Sequence, residues 1–144
     1  MLNSLSALFA VMTLANFMSL MIFGSLRHSG IPGIGRWMAA NVAAIAGMFL
    51  YALRDFSPGF LLLVSSNALF CFSIVLGYQG CRQFFRLPPV TPAPFVGLLA
   101  ALAGICYWNN GAADISARIV VFSIFFVYMY GGMGWLVWSR RKPK

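Results

Sequence analysis

The sequence predicts an all-α integral membrane protein: a single transmembrane domain over residues 1–144, built as a bundle of about five helices, with the N-terminus outside and the C-terminus cytoplasmic. Three observations lead there. First, 61% of the residues are hydrophobic and only 8% are charged, against about 25% charged in an ordinary soluble domain. Ten basic and two acidic side chains cannot cover a core that large in water. Second, the apolar residues come in long runs without a helical or strand period, as expected where the solvent is as apolar as the interior. Third, the loops between the runs alternate in charge character.

Each run is long enough, or nearly so, for the ~20 helical residues that a bilayer needs. The first covers about Leu5–Gly24. No charged side chain precedes Arg27 and no A-x-A-like site follows, so this run reads as a retained helix and not as a cleaved signal. The stretch RHSGIPGIGR ends it with glycine and proline. The second run covers about Trp37–Leu53 and closes on the tight loop RDFSPG. The third covers about Gly59–Gly80, and the proline-rich RLPPVTPAP separates it from the fourth, about Ala93–Trp108. After NNGAAD the fifth covers about Ile115–Trp138.

Charge sets the expected sidedness. Arg27 and Arg36 lie in the first loop, Arg82 and Arg86 in the third, and Arg140, Arg141, Lys142 and Lys144 in the tail. These share one side and hold eight of the ten basic residues and neither acid. The other side carries Arg54 beside Asp55, and Asp114 with Arg118. Positive loops stay cytoplasmic, which places the chain in a bacterial inner membrane as a multi-pass protein. Trp37, Tyr78, Trp135 and Trp138 fall near the cytoplasmic interface and Tyr51, Tyr107 and Trp108 near the outer one, as an aromatic belt would. The basic tail is expected against anionic lipid headgroups. Nucleic acid is not expected as a partner, because the basic residues punctuate apolar runs.

Little in the chain suggests catalysis. The acids are Asp55 and Asp114, both outer, and the single histidine, His28, lies on the opposite side. His28 cannot be brought to either acid through the bilayer, so no His–carboxylate arrangement forms. GIPGIGR follows no strand and lacks the Lys-Ser/Thr pair of a phosphate loop. Cys71, Cys81 and Cys106 show no metal spacing and read as small hydrophobes. Neither cofactor nor metal is expected.

Polar residues within the runs are the better candidates. Asn16 sits mid-way along the first, Asn41 a turn inside the second, and Ser65, Ser66 and Asn67 mid-way along the third. They read either as hydrogen bonds to neighbouring helices or, for Asn16 and Asn67, as the lining of a ligand pocket. Arg118 follows Asp114 by four residues, the favourable order for a helical ion pair. Alternatively it points into the bundle and holds an anionic group entering from outside. Ala43 with Gly47, and Ala100 with Gly104, have the small-residue spacing of close helix contacts. The three glycines of YMYGGMGW, Tyr128–Trp135, suggest a packing groove or a hinge in the last helix.

The stretch Gly35–Pro89, GRWMAANVAAIAGMFLYALRDFSPGFLLLVSSNALFCFSIVLGYQGCRQFFRLPP, resembles the N-terminal membrane region of bacterial GGDEF diguanylate cyclases. The features are a Trp-bearing start, a small-residue helix ending in Leu-Arg, a Pro-bearing hairpin, a helix with a central Asn, and a basic-aromatic exit. ISARIVVFS, Ile115–Ser123, is similar to the start of that family's fifth helix. The resemblance implies a sensory input module of about seven helices, feeding a cytoplasmic cyclase domain and pairing as a homodimer. This sequence departs from the pattern after the fifth helix, with neither further helices nor GGDEF, so cyclase activity does not carry over. It is expected to be a fragment of such a protein or a free-standing relative of its sensor region. The function expected is signal input without catalysis; the alternatives are a small transporter subunit or a structural membrane protein.

Overall fold

The computed structural model describes residues 4–53, 59–88, 91–110 and 115–140. These form five α-helices: α1 (Ser4–Ser25), α2 (Ile34–Leu53), α3 (Phe60–Phe84), α4 (Pro92–Asn110) and α5 (Ile115–Arg140), with a short 3-10 turn at Arg27–Ser29. Four helices are long and apolar enough to cross a membrane, and α4 contributes a shorter apolar helix.

Helix ends follow local chemistry. Gly30 and Gly33 adopt φ of 71° and 94°, and the second of these turns the chain into α2 three residues before the expected Trp37. Pro92 opens α4, where its missing N–H costs nothing because the first turn has no acceptor for it. The end of α3 was less legible. The helix runs four residues past Gly80 and closes on a Schellman motif, Leu87 N–H to the Arg82 carbonyl and Arg86 N–H to the Gln83 carbonyl, both 2.9 Å. Arg86 occupies the left-handed position (φ 55°) that glycine usually fills, so no glycine marks the helix end along the chain.

Helix α3 is the hub. It packs against α2 along much of its length and against α4 and α5 on its other side, while α1 is carried by α2. Thr13 Oγ1 on α1 meets Met48 Sδ on α2 at 3.1 Å, and Phe23 meets Trp37 with ring centroids 5.6 Å apart, so these two helices run antiparallel. The main core lies between α3, α4 and α5 and contains Cys71, Ile74, Val75, Ala101, Phe125 and Met129. Leu63 and Asn67 share a cleft with Arg118 and Phe122, and further along Gly77 lies opposite Met133, so α3 and α5 are parallel. This alternation gathers Arg27, Arg36, Arg82, Arg86 and Arg140 at one end of the bundle, called here the basic end. Arg54, Asp55, Asp114, Arg141, Lys142 and Lys144 lie outside the described residues.

Large apolar side chains also point outward: Leu61, Val127 and Trp135 are each more than 70% exposed. A hydrocarbon surrounding suits such an exterior, and water penalises it.

The small-residue pairs behave differently from each other. Ala43 and Gly47 are both buried against α3, where a methyl group on Gly47 would lie 3.2 Å from the Ser66 carbonyl oxygen. Gly104 faces Val121 on α5, but Ala100 is exposed. The glycine-rich segment of α5 is not interrupted: the helix runs as one element through Gly131, Gly132 and Gly134. Trp37 is more than a membrane-interface anchor. Its indole N–H donates to the Gly77 carbonyl at 3.2 Å and its ring lies over Gly80, tying α2 to α3.

Candidate functional site

Two clefts collect the polar side chains of the helices. The first, about 250 Å³, lies at the end opposite the basic one and is lined by Tyr51, Leu63, Asn67, Ile105, Arg118, Ile119, Phe122 and Ser123. It draws on α2, α3, α4 and α5. Asn67 and Arg118, two of the three expected site residues, therefore share one cavity. The third, Asn16, does not join them. It lines a second cleft of about 470 Å³ nearer the basic end, together with Phe23, Trp37, Asn41, Ser73, Gly77, Cys81, Tyr130 and Met133.

The separation follows from the packing. Asn16 is on α1, which touches α2, whereas Asn67 lies on the side of α3 that looks toward α4 and α5. A pocket shared by Asn16 and Asn67 does not form.

In the first cleft Asn67 Nδ2 donates to the Leu63 carbonyl one turn earlier, at 2.8 Å. That bond uses one of the two amide N–H groups; the second N–H and the carbonyl oxygen are further hydrogen-bonding capacity of the side chain. The Arg118 guanidinium is half-buried beside it, three residues into α5. Tyr51 and Arg118 both have interaction partners of their own. Asp114, the expected ion-pair partner of Arg118, lies outside the described residues. A guanidinium is charged at any physiological pH and presents a planar fork of donors, which matches a carboxylate or phosphate.

In the second cleft the same pattern recurs. Asn16 Nδ2 donates to the Met12 carbonyl and Asn41 Nδ2 to the Trp37 carbonyl, each at 2.8 Å, and Ser73 Oγ donates to the Phe70 carbonyl at 2.7 Å. These hydrogen bonds stay within one helix instead of crossing to a neighbour, the packing role that membrane asparagines often have. Asn41 and Ser73 were not singled out as ligand-facing from sequence, because one asparagine and one serine in apolar runs carry no sign of the face they occupy.

Among the described residues no three of His, Cys, Asp and Glu come together as metal ligands. Gln79, on α3 near the basic end, is 1% exposed, and neither its Nε2 nor its Oε1 has a hydrogen-bond partner among the described residues. No family model, curated protein or solved structure matches this chain.

Proposed function

We propose that the chain is a membrane-embedded signal-input module, inserted with its basic end in the cytoplasm, and that the Asn67–Arg118 cleft receives an anionic group from the outer side. The observation that carries this reading is the cleft itself. A half-buried guanidinium and an asparagine amide line one cavity at the start of α5. That helix then continues without a break to Arg140 at the other end. A ligand drawn to Arg118 touches the helix that ends nearest any cytoplasmic partner, and a small tilt or shift of α5 would transmit its arrival. The division of basic residues between the loops supports the orientation, and the resemblance of Gly35–Pro89 to cyclase-linked membrane regions supports the role. A transporter subunit is less favoured, since no Asp, Glu, Lys, Arg or His sits mid-way along any described helix.

Thermal unfolding of the purified chain in lipid nanodiscs, screened against small carboxylates and phosphates, tests the proposal. At least one anion is expected to raise the unfolding midpoint and to shift the emission of Trp135 and Trp138 near the end of α5. Arg118→Ala is expected to remove both responses. Stabilisation that survives Arg118→Ala, or no response to any anion, counts against the reading. Reporter fusions in the loops test the orientation separately.

A further inference from the structure

A third concavity, about 700 Å³, lies on the outside of the bundle between α4 and α5. Small residues make room for it: Ala93, Gly97 and Ala100 on α4 leave a space that Ile124 and Tyr128 of α5 border. Every lining side chain is apolar except for the Tyr128 hydroxyl. Ala93, Ala100 and Ile124 are exposed, so the groove opens sideways, onto the same surroundings as the apolar exterior. Its lining runs from Pro92, the first residue of α4, to Ala101, half-way along that helix. Those residue steps rise about 14 Å. One leaflet of a bilayer has a hydrocarbon depth of about 15 Å, half of a core of about 30 Å. The groove thus has the length and the polarity of a lipid acyl chain.

The Pro92 end of the groove points toward the basic end of the bundle. Helix α3 presents Arg82 there on its α4–α5 side: the guanidinium lies over the Tyr78 ring, 5.9 Å from its centroid, and Tyr78 packs on the core between these helices. Arg82 Nε donates to the Pro88 carbonyl at 3.0 Å, which holds the side chain on the connection that leads into α4. Pro88 precedes Pro92 by four residues, a reach of at most ~14 Å. The two Nη groups carry further donors in the planar fork that suits a phosphate. Arg86 and Arg140 share this end, and neither aspartate falls in its connections. We infer that the α4–α5 groove holds an acyl chain of an anionic phospholipid, with the phosphate at Arg82 and Arg86. A second copy of this chain fits the groove worse. Like-oriented neighbours meeting along α4 and α5 would bring two basic ends together, a repulsion that an anionic headgroup relieves. A zwitterionic lipid offers the same tail but carries its own cation beside the phosphate, so the arginines favour the anionic headgroup. This inference rests on the membrane placement of the helices but not on the Asn67–Arg118 cleft, whose lining is separate.

The test uses the full chain in a neutral detergent, titrated with dioleoyl phosphatidylglycerol or dioleoyl phosphatidylcholine, with the complexes resolved by native mass spectrometry. The two lipids share their tails, so a difference between them reads the headgroup. Glycerol phosphate, a headgroup without tails, reads the groove. Saturable binding of phosphatidylglycerol is expected, about tenfold tighter than phosphatidylcholine, the size of preference that one or two arginines near an anionic headgroup produce. Ala100→Trp, which fills the groove from an exposed position, is expected to weaken both lipids about tenfold. Arg82→Gln combined with Arg86→Gly removes two charges and gives the left-handed turn to glycine. It is expected to narrow the preference at least threefold while phosphatidylcholine binding stays. Leu61→Trp, an equally bulky change at an exposed position of α3, is expected to leave both affinities unchanged. Equal affinity for the two lipids overturns the inference, as does glycerol phosphate binding as tightly as phosphatidylglycerol, or lipid binding that Ala100→Trp does not alter. Dimers that Ala100→Trp disperses without changing lipid binding would give the groove to a second copy and overturn it too. Should Ala100→Trp lose its helical circular dichroism, Val96→Trp, exposed on the same rim, takes its place. Anion responses lost through Arg118→Ala concern the Asn67–Arg118 cleft and leave these outcomes untouched.

Discussion

The α2–α3 seam and the outward face of α5 are both rich in glycine, and the glycines meet opposite surroundings. In the seam every one is close against a neighbouring helix. A methyl group on Gly33 would enter the Gly80 backbone, one on Gly80 would strike the Trp37 indole, and one on Gly47 would crowd the Ser66 carbonyl and the Leu69 side chain. On α5, a methyl group at Gly131 or Gly134 would meet nothing within 4 Å among the described residues. Glycine in the seam is therefore a steric requirement that lets two backbones approach. On the face of α5 it gives up helix propensity with no packing return among the described residues. Two segments with similar composition differ because one is turned toward a neighbour and the other away.

Substitutions can break or sharpen that contrast, and their effects on thermal unfolding in detergent micelles should descend in order. Gly80→Leu has the largest expected effect, a loss of about 3 kcal/mol, because a branched side chain would have to displace the Trp37 ring from the seam. An unaltered midpoint would mean that α2 does not lie against α3 in this register. Gly47→Val should cost about 2 kcal/mol by forcing the same helices apart nearer their middle, where the contact distances are 3.2 and 3.3 Å. Gln79→Leu, next to Gly80 but on a different face of α3, should stabilise by about 1–2 kcal/mol, since it replaces an unsatisfied buried amide by an apolar group of similar size. Destabilisation would instead show that the amide has a partner, such as a buried water. Gly134→Ala should give the smallest change, a gain of about 0.5–1 kcal/mol from helix propensity. A decrease there would show that something outside the chain packs on this face.

The aromatic residues repeat the lesson. Trp37, Trp135 and Trp138 look alike as interfacial anchors in the sequence. Trp135 and Trp138 are largely exposed, as an anchor is. Trp37 is engaged by the Gly77 carbonyl, the Gly80 backbone and the rings of Phe23 and Phe84. Depth along the helix axis is the same kind of information for all three, and it says nothing about rotation around that axis.

The same distinction governed the candidate site. Asn16, Asn67 and Arg118 were legible as unusual residues because polarity inside an apolar run stands out in a linear reading. Their grouping was not. Asn67 went with Arg118 and Tyr51, and Asn16 went with Asn41 and Ser73. In a soluble helix the apolar stripe would have shown which face turns inward. Here the outward face is apolar too, so that signal is missing. Arg86, holding a left-handed turn usually given to glycine, hid the end of α3: the backbone hydrogen bonds that close the helix hold a conformation that the residue type does not favour.

The number of helices, their approximate extents and the division of basic residues between alternate loops were determined by the sequence alone, because hydropathy and charge are sums along the chain. Helix rotation, the choice of neighbours, the hub position of α3 and the sorting of polar side chains into two clefts were decided by tertiary packing. Each residue turns a helix by about 100°, and when every face is apolar only close contact between particular side chains and glycines selects the angle.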